Sequence, residues 1–237
     1  MKSYNSKIRH SLHDTLIVAA IAFGSAALPV YAMQPPDITP TETAMVPAYC
    51  KDTQLWPGGN PGGVERGMAT YGEAFYSFHH YCWAMVWQMR AERPASSAME
   101  RRGNLTNALD DLDYVLRYVP RDHVFRPEIL TRKGKVLRMQ GKLTEATEVL
   151  RQAIELNSKY WRAFSELAVC YTFSNDREMA MSVLREGLTV NPDAKALRLH
   201  LQELEQQTGK RSSRSQATTQ SRAQRDTTTS KGSANSP

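Results

Sequence analysis

His79, His80 and Cys82 lie within four residues of one another, and His123 is a fourth side chain able to join them on a metal ion. Imidazole nitrogen and thiolate sulfur are ligands that zinc and copper take. The spacing argues against that chemistry. Adjacent residues on a helix point about 100° apart, so His79 and His80 are expected to diverge. No Cys-x-x-Cys or His-Glu-x-x-His run supports zinc. A nucleophilic Cys82 needs a base fixed beside it, and its helical neighbours cannot be assumed to supply one. The stretch Trp56-Pro57-Gly58-Gly59-Asn60-Pro61-Gly62-Gly63 lacks the Gly-Lys-Ser/Thr end of a phosphate loop. The expectation is a protein without catalytic residues, metal or cofactor. A metal-handling or enzymatic accessory built on the His79–Trp83 helix stands as the alternative, marked by bound metal or a low-pKa thiol at Cys82.

The elements that carry these residues begin behind an address. Lys2, Lys7 and Arg9 precede a 13-residue apolar run from Leu16 to Leu28, and Val30-Tyr31-Ala32 follows Pro29. This is the order of a secretory signal over 1–32, with cleavage between Ala32 and Met33. Thirteen apolar residues fall short of the roughly 20 that span a bilayer. Outside the cytosol thiols pair, and Cys50 and Cys82 flank the Gly/Pro-rich part of an N-terminal extension over 33–70. A bridge between them would pin that loop to the first long helix; two buried free thiols are the other reading. Cys170, in an apolar helix, reads as core.

The middle of the chain repeats. Gly103-Asn104-Leu105-Thr106-Asn107-Ala108 returns as Gly141-Lys142-Leu143-Thr144-Glu145-Ala146. Thirty-four residues on, Gly134 maps to Ala168, Ala146 to Ala180, Leu150 to Leu184, Ala153 to Gly187 and Ser158 to Pro192. Apolar residues step by three and four in each copy, as in Leu105, Ala108, Leu112, Val115 and Leu116, which is one buried helical face. Each unit therefore reads as two helices joined by a short turn at Gly141 or Asn175. Phe75, Phe78, Cys82, Met85 and Met89 carry the same stepping over 71–91, the expected first helix of the first unit. Leu197, Leu201 and Leu204 mark a last amphipathic helix that stops at Gly209.

A 34-residue helix–turn–helix with this order of large, small and closing residues resembles the tetratricopeptide repeat. The resemblance is carried by 127–192, and 103–120 is similar to the second helix of a preceding repeat. Lys133, Ser158 and Gly187 depart from the pattern, the last at about 1 kcal/mol of helix propensity. The stretch from His79 onward is also similar to exported bacterial tetratricopeptide proteins. The resemblance implies an all-α, short right-handed α-solenoid with repeats at about 71–120, 127–160 and 161–192 and a capping helix over 193–208, together a helical domain over 71–208. It also implies that the first helix of each repeat lines a concave groove. Counted from Pro127 and Trp161, the groove residues are Glu128, Thr131, Lys135 and Arg138, then Arg162, Ser165, Val169 and Thr172. Solvated helix faces are the bland alternative for the same residues.

The chain of 237 residues is 41% hydrophobic and 23% charged, which excludes a collagen, a fully disordered chain and a multispan membrane protein. Its net charge of +6 sits at the ends, +2 over 1–32 and +5 over 209–237, leaving about −1 for the folded part. A near-neutral fold lacks the footprint of nucleic-acid binding. The segment 209–237 has no Leu, Ile, Val, Met or aromatic residue, so it reads as a disordered tail. It is either solvated or tethered to anionic envelope components. The expected function is a non-catalytic scaffold or assembly factor in the bacterial periplasm that binds a protein or peptide partner in the groove. A self-associating structural envelope protein is a further alternative.

Overall fold

The structure is a computed structural model that describes residues 37–210. The signal segment, its cleavage point at Ala32–Met33 and the tail from 211 onward lie outside the described residues. Within them the chain is helical, with no strand. The helices are α1 (Pro40–Met45), α2 (Gly63–Tyr71), α3 (Phe78–Glu92), α4 (Ala98–Tyr118), α5 (Arg126–Met139), α6 (Leu143–Leu156), α7 (Trp161–Phe173) and α8 (Arg177–Val190), followed by α9 over 195–210. Helix α3 packs on α4, α5 on α6 and α7 on α8, and successive hairpins meet through α4–α5, α6–α7 and α5–α7. Contacts that pass only to the next neighbour make this an all-α solenoid. Among the described residues no helix is long and apolar enough to cross a membrane.

The turns at Gly141 and Asn175 hold left-handed backbone, with φ of 81° and 59°, which ends α5 and α7 and reverses the chain. Between α5 and α6 the helices close on a missing side chain. A Cβ on Gly134 would lie 2.5 Å from Leu150 Cγ and 2.8 Å from its Cδ2, and Leu150 is fully buried. Alanine is the better helix former by about 1 kcal/mol, but forcing extra volume into a closed core costs about 1–3 kcal/mol. We therefore expect Gly134→Ala to lower stability by about 1–2 kcal/mol in urea denaturation. A gain would show that α6 can back away. Gly187 is placed likewise. A Cβ there would meet Phe164 Cγ at 2.8 Å and Leu197 Cδ1 at 2.9 Å, so this glycine serves close packing rather than merely weakening α8.

Three boundaries differ from the sequence reading. A continuous helix over 71–91 is interrupted: Gly72, at φ 78°, ends α2, and a 3-10 turn over Glu73–Ser77 leads into α3 at Phe78. The second helix of the first hairpin starts not at 103 but at Ala98, so Gly103 lies inside α4. The turn of that hairpin falls at 93–97, as the connector from Glu92 to Ser97 with its Pro94 implies, and a reciprocal capping box between Ser97 and Glu100 starts α4. Helix α4 therefore begins seven residues ahead of the position that corresponds to the start of α6. The last helix does not stop at Gly209 but continues through it to 210, the final described residue.

The Gly/Pro-rich extension is an ordered strap over the outer face of α3. Cys50 and Cys82 form a disulfide, S–S 2.08 Å and Cα–Cα 5.7 Å, inside a buried cluster with Ile38, Trp56, Trp83 and Val86. Glu42 of α1 is 2% exposed and accepts from Arg90 Nε at 2.7 Å and Arg93 at 2.5 Å, while its second oxygen takes the Thr39 backbone N–H at 2.9 Å. With the strap on one side and α4 on the other, α3 is buried nearly all round. The two largest apolar clusters lie in the α3–α4 half and the α6–α9 half, and Leu109 packs against both.

Candidate functional site

Residues Glu128, Thr131 and Lys135 of α5 share one helical face, as do Arg162 and Ser165 of α7, and the α5–α7 contact brings the two faces together. They line a cleft of about 430 Å³ whose remaining walls include Gln88 of α3, Arg132 of α5, Tyr160 just before α7, Trp161 and Glu166 on it, and Ala196 of α9. Five of the eight residues expected from the sequence are thus assembled. The other three are not in the cleft. Arg138 turns to Glu166 at 3.2 Å and lies over the Phe173 ring. The Thr172 hydroxyl donates to Ala168 O at 2.9 Å, and Val169 lies a turn beyond Ser165 on α7.

A polar network crosses the floor. Lys135 pairs with Glu92 at 2.8 Å, Gln88 donates to the same carboxylate at 2.8 Å, and Arg132 donates to Gln88 Oε1 at 2.9 Å. Burial works against the Glu92 carboxylate, yet Gln88, Lys135 and Arg132 together hold its pKa below the ordinary range. The Tyr81 hydroxyl, raised far above its usual pKa chiefly by burial, donates to Glu128 at 2.6 Å. Tyr160 is pushed up to about 12, first by burial and then by Glu128. Both phenols are therefore neutral donors at any physiological pH.

The cations remain less well served than the carboxylates. Glu166 is paired with Arg138, Glu128 with Tyr81, and Lys135 with Glu92. Among the described residues neither Arg132 nor Arg162 has a carboxylate within 4.0 Å. Arg132 lies over Tyr81, its Nε buried without a partner, and Arg162 lies over Trp161 at 4.6 Å. Sequence position alone points to Thr131 and misses Arg132 one residue on, because the side of α5 that meets α3 depends on how the two helices cross.

Residues 137–207 match the tetratricopeptide repeat family. The match covers α6 to α9 and ends before the last described residues. Over 113 residues the chain is 28% identical to the human protein O-mannosyl-transferase TMTC1, a match that takes in 48% of this chain and spans 13% of that relative's length. A solved structure, the first tetratricopeptide domain of Spaghetti (RPAP3) bound to the HSP90 peptide SRMEEVD, aligns with a TM-score of 0.40 at 17% identity, over 53% of this chain and 95% of that one.

The histidines serve packing. His79 and His80 do not diverge as expected: their rings lie 4.3 Å apart, because both lean over Trp83, 4.9 Å from each. His79 Nδ1 donates to Tyr76 O at 3.0 Å, and burial, then His80, lowers its pKa to about 4, leaving the ring neutral. His80 Nδ1 lies 2.5 Å from Asp111 Oδ1, and burial raises the pKa of that carboxyl against the pull of His80 and Trp87. His123 Nε2 donates to Tyr71 O at 2.8 Å. Cys82 is bonded to Cys50, so a reactive thiol at that position is overturned. Cys170 is buried, and burial raises its thiol to about 11, away from reactivity.

Proposed function

We propose that the chain is a non-catalytic scaffold, exported to the cell envelope, that holds an extended acidic segment of a partner protein in the α3–α5–α7 cleft. One observation carries the reading: Arg132 and Arg162 face the cleft without carboxylate partners, while the carboxylates around them are already engaged. A partner carboxylate would take paired N–H donors from a guanidinium in a site already walled by protein, the setting in which such bonds are strongest. The tetratricopeptide match supports an interaction role. The basic leader, and a disulfide suited to an oxidising compartment, support export.

The test uses 33–237 as bait in a detergent-solubilised envelope extract, with retained proteins identified by mass spectrometry and the purified partner titrated by fluorescence anisotropy. Losing one side of a desolvated charge pair costs about 2 kcal/mol or more. Arg132→Gln/Arg162→Gln should therefore weaken binding roughly a hundredfold while circular dichroism stays unchanged. Equal affinity of the double variant would remove the cleft as the site.

A further inference from the structure

The early start of α4 lines a second cavity. Aligning Gly103-Asn104-Leu105 with Gly141-Lys142-Leu143 leaves the first seven residues of α4, 98–104, without a helical counterpart in the next hairpin. Between this extra length and the end of α5 lies a wedge of about 480 Å³, within the size range of small-molecule pockets. Its floor is apolar, Leu105 buried and Met139 half-buried. Its rim holds Arg101, Arg102 and Lys142, all exposed, and no acidic residue lines it. Among the described residues none of the three cations has an ion-pair partner. Glu100, the nearest carboxylate in sequence, turns away to the Ser97 cap and lines a different cavity. A second observation is independent of charge: Gln140, in the same wall, buries its Oε1 with no hydrogen-bond donor, which is unfavourable while nothing fills it.

We infer that the wedge between α4 and α5 binds a single-chain amphiphile with a phosphate monoester head. The alkyl chain lies on Leu105 and Met139. Two phosphate oxygens accept from Arg101 and Arg102, with Lys142 as a point charge beside them. A phosphate monoester keeps one P–OH below its second pKa of about 6, and that hydroxyl is the donor Gln140 Oε1 lacks. A carboxylate meets the cations but brings no donor, and a neutral sugar head brings donors but no charge. Methionine suits the floor, since its unbranched thioether repacks around a chain.

The experiment uses the full chain with ¹³C-methyl methionine, the Met139 signal assigned through Met139→Leu, and dodecyl phosphate below its micelle concentration at pH 6. The expected result is a saturable shift of the Met139 methyl, no shift with dodecyl maltoside, and at least a tenfold weaker affinity in Arg101→Gln/Arg102→Gln. Arg132→Gln/Arg162→Gln should titrate like the parent, which separates this site from the cleft. An equal response to the maltoside would reduce the wedge to an apolar crevice and overturn the inference, as would unchanged affinity in the Arg101/Arg102 variant. Binding to dioleoylphosphatidylglycerol vesicles without a Met139 shift from the free amphiphile would overturn it in favour of a charged surface patch.

Discussion

Glu42→Ala lowers the unfolding free energy by about 3–5 kcal/mol, the cost of stranding buried charge when one member of an ion pair is removed. Three features make this position severe. The carboxylate is almost completely buried, one face accepts from Arg90 and Arg93, and the other closes the Thr39 capping box. Arg93 is about half exposed and is screened accordingly, so Arg90 carries most of the effect, in agreement with its place as the leading cause of the Glu42 shift. The same pair sets an acid dependence. Glu42 is held at about 2 against an ordinary 4.5, a depressed carboxylate, so its contribution is complete above pH about 4.5 and is lost as pH falls through about 2. From the shift, that contribution is about 3 kcal/mol. Urea titrations at pH 7, 4 and 2.5 check both points: the wild-type chain should lose its advantage over Glu42→Ala on acidification. A constant gap between them would mean that the carboxylate acts through packing alone.

Cys50→Ala/Cys82→Ala removes about 3–4 kcal/mol in the chain-entropy description of a bridge across 32 residues. Reduction with dithiothreitol separates the two contributions, because it breaks the link but leaves both sulfurs among Trp56, Trp83 and Val86. Reduced wild type should therefore fall between the oxidised protein and the double variant. If reduced and oxidised chains unfold at the same denaturant concentration, the strap is held by its apolar cluster and ion pairs alone. The disulfide and Glu42 secure the same segment, so their losses should not add. Once either hold is gone, the second should matter less, and protease cleavage within 37–62 should report the strap's release ahead of global unfolding.

The hairpins of the second half were legible because each helix there buries one stripe, and a stripe leaves its period in the sequence. Gly141 and Asn175 marked turns that only a left-handed residue closes well. The strap was not legible. Glu42 and Arg90 lie 48 residues apart, and nothing local distinguishes a buried glutamate from a solvated one. Ser97-Ala98-Met99-Glu100 carried a capping signal, yet the Gly103 repeat drew the helix start a turn too late. In the cleft, Glu128, Thr131, Lys135, Arg162 and Ser165 followed from counting along the first helix of each hairpin. Gln88 and Ala196 did not, since they enter from α3 and α9, and helix-to-helix geometry is absent from a linear pattern. Arg138 was misread because its Glu166 partner lies on the next hairpin.

The described residues form two main apolar cores that share Leu109, and stability in such a stack passes mainly between neighbours. The disulfide lies wholly on one side of that seam, and the half beyond it is tied to the bridged half by α4–α5 packing and the polar contacts between α3 and α5. The cleft takes Gln88 from the bridged side and Ser165 from the other. A molecule seated there would therefore lace the two halves together, and its binding energy would be returned as cooperativity: one melting transition when occupied, where the empty stack can open from its far end.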